Sequence, residues 1–170
     1  SRCGKVDGNA FPKIIKSRKN ILTIDACNGF AYPAFELLIP KLSEIAKVNG
    51  ISMGSIINSH HFGVAGHHVE KAAELGKISL LFGNTPSAII PFGGKKAIFG
   101  TNPLAFSAPS NDGKHIIIDM AMSKVARGKL LKAAENNESI PNDWGLDKSG
   151  NKTSDPKAVL NGGGLLPMGD

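Results

Sequence analysis

The chain has little of several things. Only two cysteines, Cys3 and Cys27, occur in 170 residues. That is too few for a disulfide framework, so a reducing, cytoplasmic setting is expected. There is one tryptophan and one tyrosine, and aromatic residues make up 6%. No stripe of basic residues interleaved with aromatics is present, so a nucleic-acid partner is not expected. No apolar run approaches the roughly 20 residues that cross a bilayer, so no membrane partner is expected either. The opening residues SRCGKVDG hold no apolar leader core. No G-x-G-x-x-G follows a strand pattern, and no G-x-x-x-x-G-K-[ST] occurs, which leaves neither a Rossmann nor a P-loop phosphate cradle. The net charge is +6. Its lysines are scattered, as on a solvated surface, and charge of this kind identifies no partner by itself.

What is present is an ordinary globular composition, 41% apolar and 20% charged, long enough for one domain with a core. NILTIDA (20–26) reads as a strand after the basic turn KSRKN. YPAFELLIPKLSEIAKVN follows with helical spacing, Pro33 in its first turn, Pro40 as a point where a kink or late start is allowed, and Gly50 as its stop. ISMGSII (51–57) and ISLLFGN (78–84) read as apolar, buried-type strands, and a helix from Gly66 to a glycine stop at Gly76 separates them. Residues 84–103 are apolar enough to be ordered but too broken by Gly and Pro for regular structure. LAFSAPS and HIIIDMAMS read as strands joined by a turn over 110–113. A helix capped by Ser123, a polar loop over 138–157 and a short helix capped by Ser154 complete the pattern. The order β-α-β-α-β, then β-β-α, implies an α/β fold with a mixed sheet.

Residues 58–68, NSHHFGVAGHH, hold four of the five histidines. The two pairs match no zinc-ligand spacing and both cysteines are distant, so no metal is expected. His67 and His68 open a helix and are read as solvating it. His60 and His61 lie near the carboxyl end of a strand, where ligands gather in α/β sheets, and strand alternation would send them to opposite sides. A functional role for one of them and a bland role on a loop are both open at this point. Asp119, near the end of a strand and close to the expected Ser123 cap, has two readings as well: bonding backbone N–H groups, or accepting ribose hydroxyls.

NSHHFGVAGHHVEKAAELG, GNTPSAIIPFGGKKAIFGTNPLAF and IDMAMSKVARGK, in that order, resemble the malate/L-lactate dehydrogenase family of non-Rossmann NAD(P)-dependent 2-oxo acid reductases. The resemblance runs from about Gly4 to Gly169. It implies the malate/L-lactate dehydrogenase-type fold, NAD or NADP as cofactor, a small 2-hydroxy or 2-oxo acid as substrate and a homodimer. In the motif Ser59-His60-His61-Phe62-Gly63 the histidine before Phe-Gly is the family's active-site acid/base, here His61. Relatives mostly carry Asn at the position of His60. Thr85, in Gly83-Asn84-Thr85-Pro86, and Asn102, in Gly100–Pro103, are implied near substrate or nicotinamide. Asp119, Met120 and Ala121 are implied to contact the dinucleotide. Pro91–Gly94 and Gly100–Pro103 are implied to line the site and shape its loop rather than perform chemistry. Lys95, Lys96 and Arg127 are candidates for phosphate or substrate contacts, with a solvated role equally open.

The resemblance also leads us to expect residues 1–170 to be a single segment, mainly the central NAD(P)-binding domain of a longer parent. A second histidine in a Ser-His-Gly motif and a substrate-binding arginine are expected before Ser1, and a lysine motif after Asp170. The expected activity is hydride transfer between nicotinamide and a malate- or lactate-like acid, with histidine acid/base assistance. The alternatives are a catalytically incompetent fragment or decayed relative that keeps only the scaffold, and a histidine-rich metal-binding module.

Overall fold

The structure, a computed structural model, describes residues 4–169; Cys3 lies outside them. In chain order the elements are β1 (Lys13–Arg18), β2 (Ile21–Asp25), α1 (Tyr32–Asn49), β3 (Met53–Ile57), α2 (Ala65–Glu74), β4 (Ser79–Phe82), β5 (Ser87–Ile89), β6 (Phe99–Gly100), β7 (Leu104–Ala108), β8 (Ile116–Met120), α3 (Arg127–Asn136), β9 (Gly145–Leu146), α4 (Pro156–Leu160) and β10 (Gly164–Leu165). This is the mixed α/β class expected. The chain divides into two compact units: residues up to Leu80 with Ala105–Ile118, and Leu81–Leu104 with the residues from Asp119 onward.

In the first unit β1, β2 and β3 form a sheet in that order. β2 and β3 are parallel, with Ile24 opposite Ile56, and parallel neighbours need a crossover, here α1. Leu22, Ile24 and Ala26 from the β2 stretch pack with Ala34 and Leu38 of α1, flanked by Leu42, Ile45 and Ile56. Helix and strand approach closely because Gly54 has no side chain: a Cβ there would lie 2.8 Å from methyl carbons of Leu38 and Leu42. Helix α1 runs unbroken through Pro40; the cost is the bond that the Glu36 carbonyl would otherwise accept. Gly50 ends it at φ +80°, its N–H on the Ala46 carbonyl at 2.8 Å.

Three expectations change here. The basic turn shrinks to Lys19–Asn20, because KIIKSR forms β1, antiparallel to β2 with an irregularity at Ile14/Lys16. Its side chains are all exposed. An edge strand needs only backbone pairing, and its charges blunt the open edge, so no apolar periodicity announced it. β3 is not buried on both sides: Gly54 and Ile56 face α1, while Met53 is 62% exposed. Nor is β4, where Leu80 is 60% exposed. In the order β4-β7-β8, Ser107 of β7 is fully buried and donates to the Val69 carbonyl of α2 at 2.6 Å. Gly76 ends α2 as expected, at φ +71°, and the turn closes from Gly113 N–H to the Ser110 carbonyl at 3.2 Å.

In the second unit β6, β5, β10 and β9 form a four-stranded sheet in that order. Residues 84–103 therefore hold two short strands, β5 and β6, where irregular backbone was expected. Ile89 and Leu165 from the sheet pack with Val125, Leu130 and Ala133 of the α3 region and Val159 of α4. Ser123 does not cap a helix: its hydroxyl bonds the Val125 carbonyl at 2.8 Å, and α3 begins four residues later, after Ala126. Asp155, not Ser154, caps α4, its carboxylate accepting from Lys157 N–H at 2.8 Å. A hydroxyl near a helix start has several backbone partners within reach, and that of Ser123 takes the Val125 carbonyl.

Replacing Gly54 with Val should lower stability by about 1–3 kcal/mol, the usual cost of overpacking. The denaturation midpoint reads this directly. An unchanged midpoint would mean that α1 moves off β3 at no cost.

Candidate active site

The histidine segment is a loop laced to a second loop by backbone bonds. Ala26 N–H donates to Ile57 O at 2.9 Å, Asn28 N–H to Asn58 O at 2.8 Å, His60 N–H to Gly29 O at 2.9 Å and Ala31 N–H to His61 O at 3.3 Å. Cys27, Asn28 and Asn58 take left-handed φ values of 51°, 61° and 49°, which Asn tolerates better than most residues. The Asp25 carboxylate ties the corner, accepting from Cys27 N–H at 2.7 Å and Asn58 Nδ2 at 3.1 Å. His60 and His61 thus lie beyond the end of β3, so strand alternation does not orient them. His60 is half-buried and His61 exposed.

Two imidazoles flank the Phe62–Gly63 peptide. Gly63 N–H donates to His61 Nδ1 at 2.8 Å. His68 Nε2 lies 2.7 Å from the Phe62 carbonyl oxygen, so it carries the proton and donates. Gly63 sits at φ +74°, and the Tyr32 hydroxyl occupies the place a Cβ would need.

His68 corrects an expectation. It does not solvate a helix start; it is 2% exposed and stacks on Phe35 with centroids 4.0 Å apart and 16° between planes. Its Nδ1 is buried without a partner among the described residues. Burial holds its pKa below the usual imidazole value; the charges of His67 and Lys71 push the same way, and the Phe62 carbonyl and Glu36 oppose. Nearby, Lys71 of α2 forms an ion pair with Glu36 of α1, and that hydrogen bond is the main reason the Glu36 carboxyl lies below its ordinary value. His67 is exposed. Among the described residues no group of three or more His, Cys, Asp or Glu is placed to hold a metal.

The second unit brings Thr85 and Asn102 together and adds Thr101, which lies in the Gly100–Pro103 segment but is given no role of its own by the sequence. Thr85 N–H donates to Asn102 Oδ1 at 3.0 Å, Asn102 N–H to Thr85 Oγ1 at 3.3 Å, and the hydroxyls of Thr85 and Thr101 lie 3.1 Å apart. Asn102 takes φ +33° to do this. A Cβ on Gly100 would overlap the Thr85 carbonyl and the Asn102 side chain, so glycine is required for the strand to pass this close. The Met122 N–H bonds the Thr101 carbonyl at 2.7 Å, which sets the segment just after Asp119, Met120 and Ala121 beside the cluster. Asp119 is an exposed residue inside β8. Pro91, Phe92, Lys95, Leu146, Lys152 and Leu166 line a cavity of about 310 Å³ in the same unit; Lys96 is not part of its wall.

With this geometry in view, comparison with known proteins is specific. The family model for malate/L-lactate dehydrogenase matches residues 1–170. The chain belongs to that family. It is 39% identical over 170 residues to a (2R)-3-sulfolactate dehydrogenase (NADP(+)) of Chromohalobacter salexigens, covering 100% of this chain and 50% of the relative. It is 41% identical to a Delta(1)-pyrroline-2-carboxylate/Delta(1)-piperideine-2-carboxylate reductase of Pseudomonas putida, covering 98% and 49%. The crystal structure of delta1-piperideine-2-carboxylate reductase from Pseudomonas syringae pvar. tomato superposes with a TM-score of 0.92 at 38% identity, covering 98% of this chain and 50% of that one. The chain spans about half the length of these relatives.

The buried His68 makes stability depend on pH, and the sign follows from its environment. The folded state disfavours the protonated ring, while the unfolded chain takes the proton near pH 6.5. More protons bind the unfolded state below that value, so stability is complete above it and falls as pH drops through it. The fall in denaturation midpoint from pH 7.5 to pH 5.5 should therefore be smaller in His68→Phe than in the unsubstituted protein. Equal falls would contradict the assignment.

Proposed function

We propose that the full-length protein carrying this chain is an NAD(P)-dependent oxidoreductase that interconverts a small 2-hydroxy acid and its 2-oxo acid, malate-like or lactate-like in size and charge. The observation that supports this most is the family match along all 170 residues, with His61 held on the loop after a parallel strand pair. We read residues 1–170 as mainly the central NAD(P)-binding part of the longer protein.

The donor set suits a nicotinamide dinucleotide. Thr85, Thr101 and Asn102 form an uncharged cluster of amide and hydroxyl groups, and Asn102 Oδ1 is engaged by Thr85 N–H, which leaves its Nδ2 donors for a carboxamide or a substrate oxygen. Lys95 and Lys152 on the cavity wall have the charge to meet phosphate groups. Asp119, Met120 and Ala121 are assigned to the dinucleotide as well, with the Asp119 carboxylate as an acceptor for hydroxyls. When bound, the nicotinamide supplies or takes up the hydride. The chain contributes position and polarity: His61 contacts the substrate oxygen that gains or loses a proton, and histidine chemistry in the protein assists that proton transfer.

We place the protein in the cytoplasm, on the sparse cysteines, and assign it a homodimeric state. Exposed apolar side chains such as Ile15 (54%), Met53 (62%), Leu80 (60%) and Phe82 (76%) support an assembly that covers them. Among the described residues no helix is long and apolar enough to cross a membrane.

The test is turnover by the full-length protein, followed as NADH or NADPH absorbance with oxaloacetate, pyruvate, sulfopyruvate and a cyclic imino acid. Oxidation of reduced cofactor with a 2-oxo acid is expected. Activity confined to the cyclic imino acid would move the substrate class, and no turnover at all would favour a decayed scaffold. In the active protein, His61→Ala should lower kcat by on the order of 10²–10⁴ and leave cofactor binding, read by nucleotide fluorescence, nearly unchanged. His67→Asn should change little.

A further inference from the structure

Three asparagines are followed directly by glycine: Asn28-Gly29, Asn49-Gly50 and Asn161-Gly162. In such a pair the glycine nitrogen can attack the carbonyl carbon of the asparagine side chain, because the glycine carries no Cβ to obstruct the approach. The attack needs three things: a backbone nitrogen that is not already committed as a hydrogen-bond donor, a side-chain amide free to turn, and backbone that can rotate. The three dipeptides are identical, and their surroundings are not.

Two of the pairs are closed. Gly29 is buried, and its N–H donates to the Ala26 carbonyl at 2.9 Å. Asn28 is held on both sides, its N–H on Asn58 O at 2.8 Å and its carbonyl accepting from Asp7 N–H at 3.0 Å. Asn49 is the last residue of α1. Gly50 N–H donates to Ala46 O at 2.8 Å, and the Asn49 side-chain amide donates to the Lys19 carbonyl at 3.4 Å. Asn161 differs on each count. It follows α4, and both it and Gly162 are exposed. Its own N–H donates to Lys157 O at 2.9 Å. The Gly162 N–H and the Asn161 side chain, however, have no hydrogen-bond partner among the described residues. Gly162 takes φ +96° in open surroundings, where the nearest neighbour of an added Cβ would be Lys148 Cβ at 3.5 Å.

We propose that Asn161 is a modification site, the position at which the folded protein deamidates and forms isoaspartate. The Gly162 nitrogen bonds to Asn161 Cγ, its proton leaves with the side-chain nitrogen as ammonia, and a cyclic succinimide remains. Water then opens the ring. Cleavage at the side-chain carbonyl gives aspartate, and cleavage at the main-chain carbonyl gives isoaspartate, in which the backbone runs through Cγ and is one carbon longer. Nothing is oxidised or reduced. The added carbon falls in the short link between α4 and β10. From Gly163 onward the chain has no slack: a Cβ there would overlap the Leu146 carbonyl, and β10 is paired with both β5 and β9. The extra length is taken up on the α4 side, at the cost of the Asn161 N–H bond to Lys157. Val159 of α4 belongs to the core of this unit, so isoaspartate at 161 loosens that packing. This site is independent of the reading of the protein as an oxidoreductase.

The test incubates the full-length protein near pH 7.5 in ¹⁸O-labelled water and follows each Asn-Gly peptide by mass spectrometry. Isoaspartate is read separately, by methyl transfer from an isoaspartyl methyltransferase. In the folded protein Asn161 should take up the label several-fold faster than Asn28 and Asn49, with isoaspartate among its products. In the same protein unfolded in urea the three pairs should convert at similar rates, because only the fold separates them. Asn161→Gln should remove the label from this peptide and leave the other two unchanged. For the backbone consequence, the isoaspartate form is separated by ion exchange and its denaturation midpoint compared with that of Asn161→Asp. The midpoint should fall for isoaspartate and stay close to that of the unsubstituted protein for Asn161→Asp, which adds the charge but not the carbon. The proposal is overturned if Asn28 or Asn49 converts in the folded protein as fast as Asn161, if Asn161 stays intact over the time in which the unfolded chain converts, or if the folded and unfolded proteins show the same order of rates. Equal midpoints for the isoaspartate form and Asn161→Asp would overturn the loosening of α4.

Discussion

The parallel pairing of β2 with β3 is the constraint on which the candidate site depends. It sets two carboxyl strand ends side by side, Asp25 opposite Ile57. From there the chain has to leave in two directions, and it does so through left-handed residues and four backbone bonds that tie residues 26–31 to 57–61. His61 inherits its place from that lacing. The register is held in turn by Gly54, whose missing side chain lets Leu38 and Leu42 close over the strand. A slip of one residue would turn Gly54 and Ile56 outward and bring Met53 and Ser55 against α1, exchanging the faces of the whole strand.

Four histidines that look alike in the sequence have three different environments. His68 is stacked in the core and held neutral by burial. His61 is in water, with one nitrogen committed to its own loop. His60 and His67 make no such commitment among the described residues. The difference lies in the medium around each ring: an uncompensated charge is costly at His68, which is buried with a carbonyl as its hydrogen-bond partner, whereas His67 stands on the solvent side of the same helix.

The second unit is held together by close approach of backbone more than by long regular elements. Its sheet strands are two or three residues each. Gly100 passes against Thr85 and Asn102, and Gly163 and Gly164 pass against the Leu146 and Ala88 carbonyls. Where strands are this short, each hydrogen bond needs the next segment already in place, so the Thr85–Thr101–Asn102 cluster is a product of the assembled sheet. Thr101 carried no signal of its own except its position between Gly100 and Asn102.

The sequence by itself determined the α/β class, α1 and α2 with their glycine stops, the cores of β2, β3, β7 and β8, and the family, because these follow from local periodicity, from glycine's access to left-handed backbone, and from ordered motifs. Only the tertiary structure decided what local pattern does not encode. β1 forms because β2 offers it a backbone edge, although its side chains are polar and exposed. β5 and β6 exist because two Gly- and Pro-broken stretches meet across the nine residues 90–98. Ser123 caps no helix because its hydroxyl is spent on the Val125 carbonyl, and α4 is capped by the carboxylate of Asp155 rather than by Ser154. His68 goes inward because position 68 falls on the face of α2 shared by Ala65, Val69 and Ala73, and residue type alone gives a histidine no preference for core or water. Burial is a property of the neighbours that the fold brings, and the sequence names those neighbours without saying where they will stand.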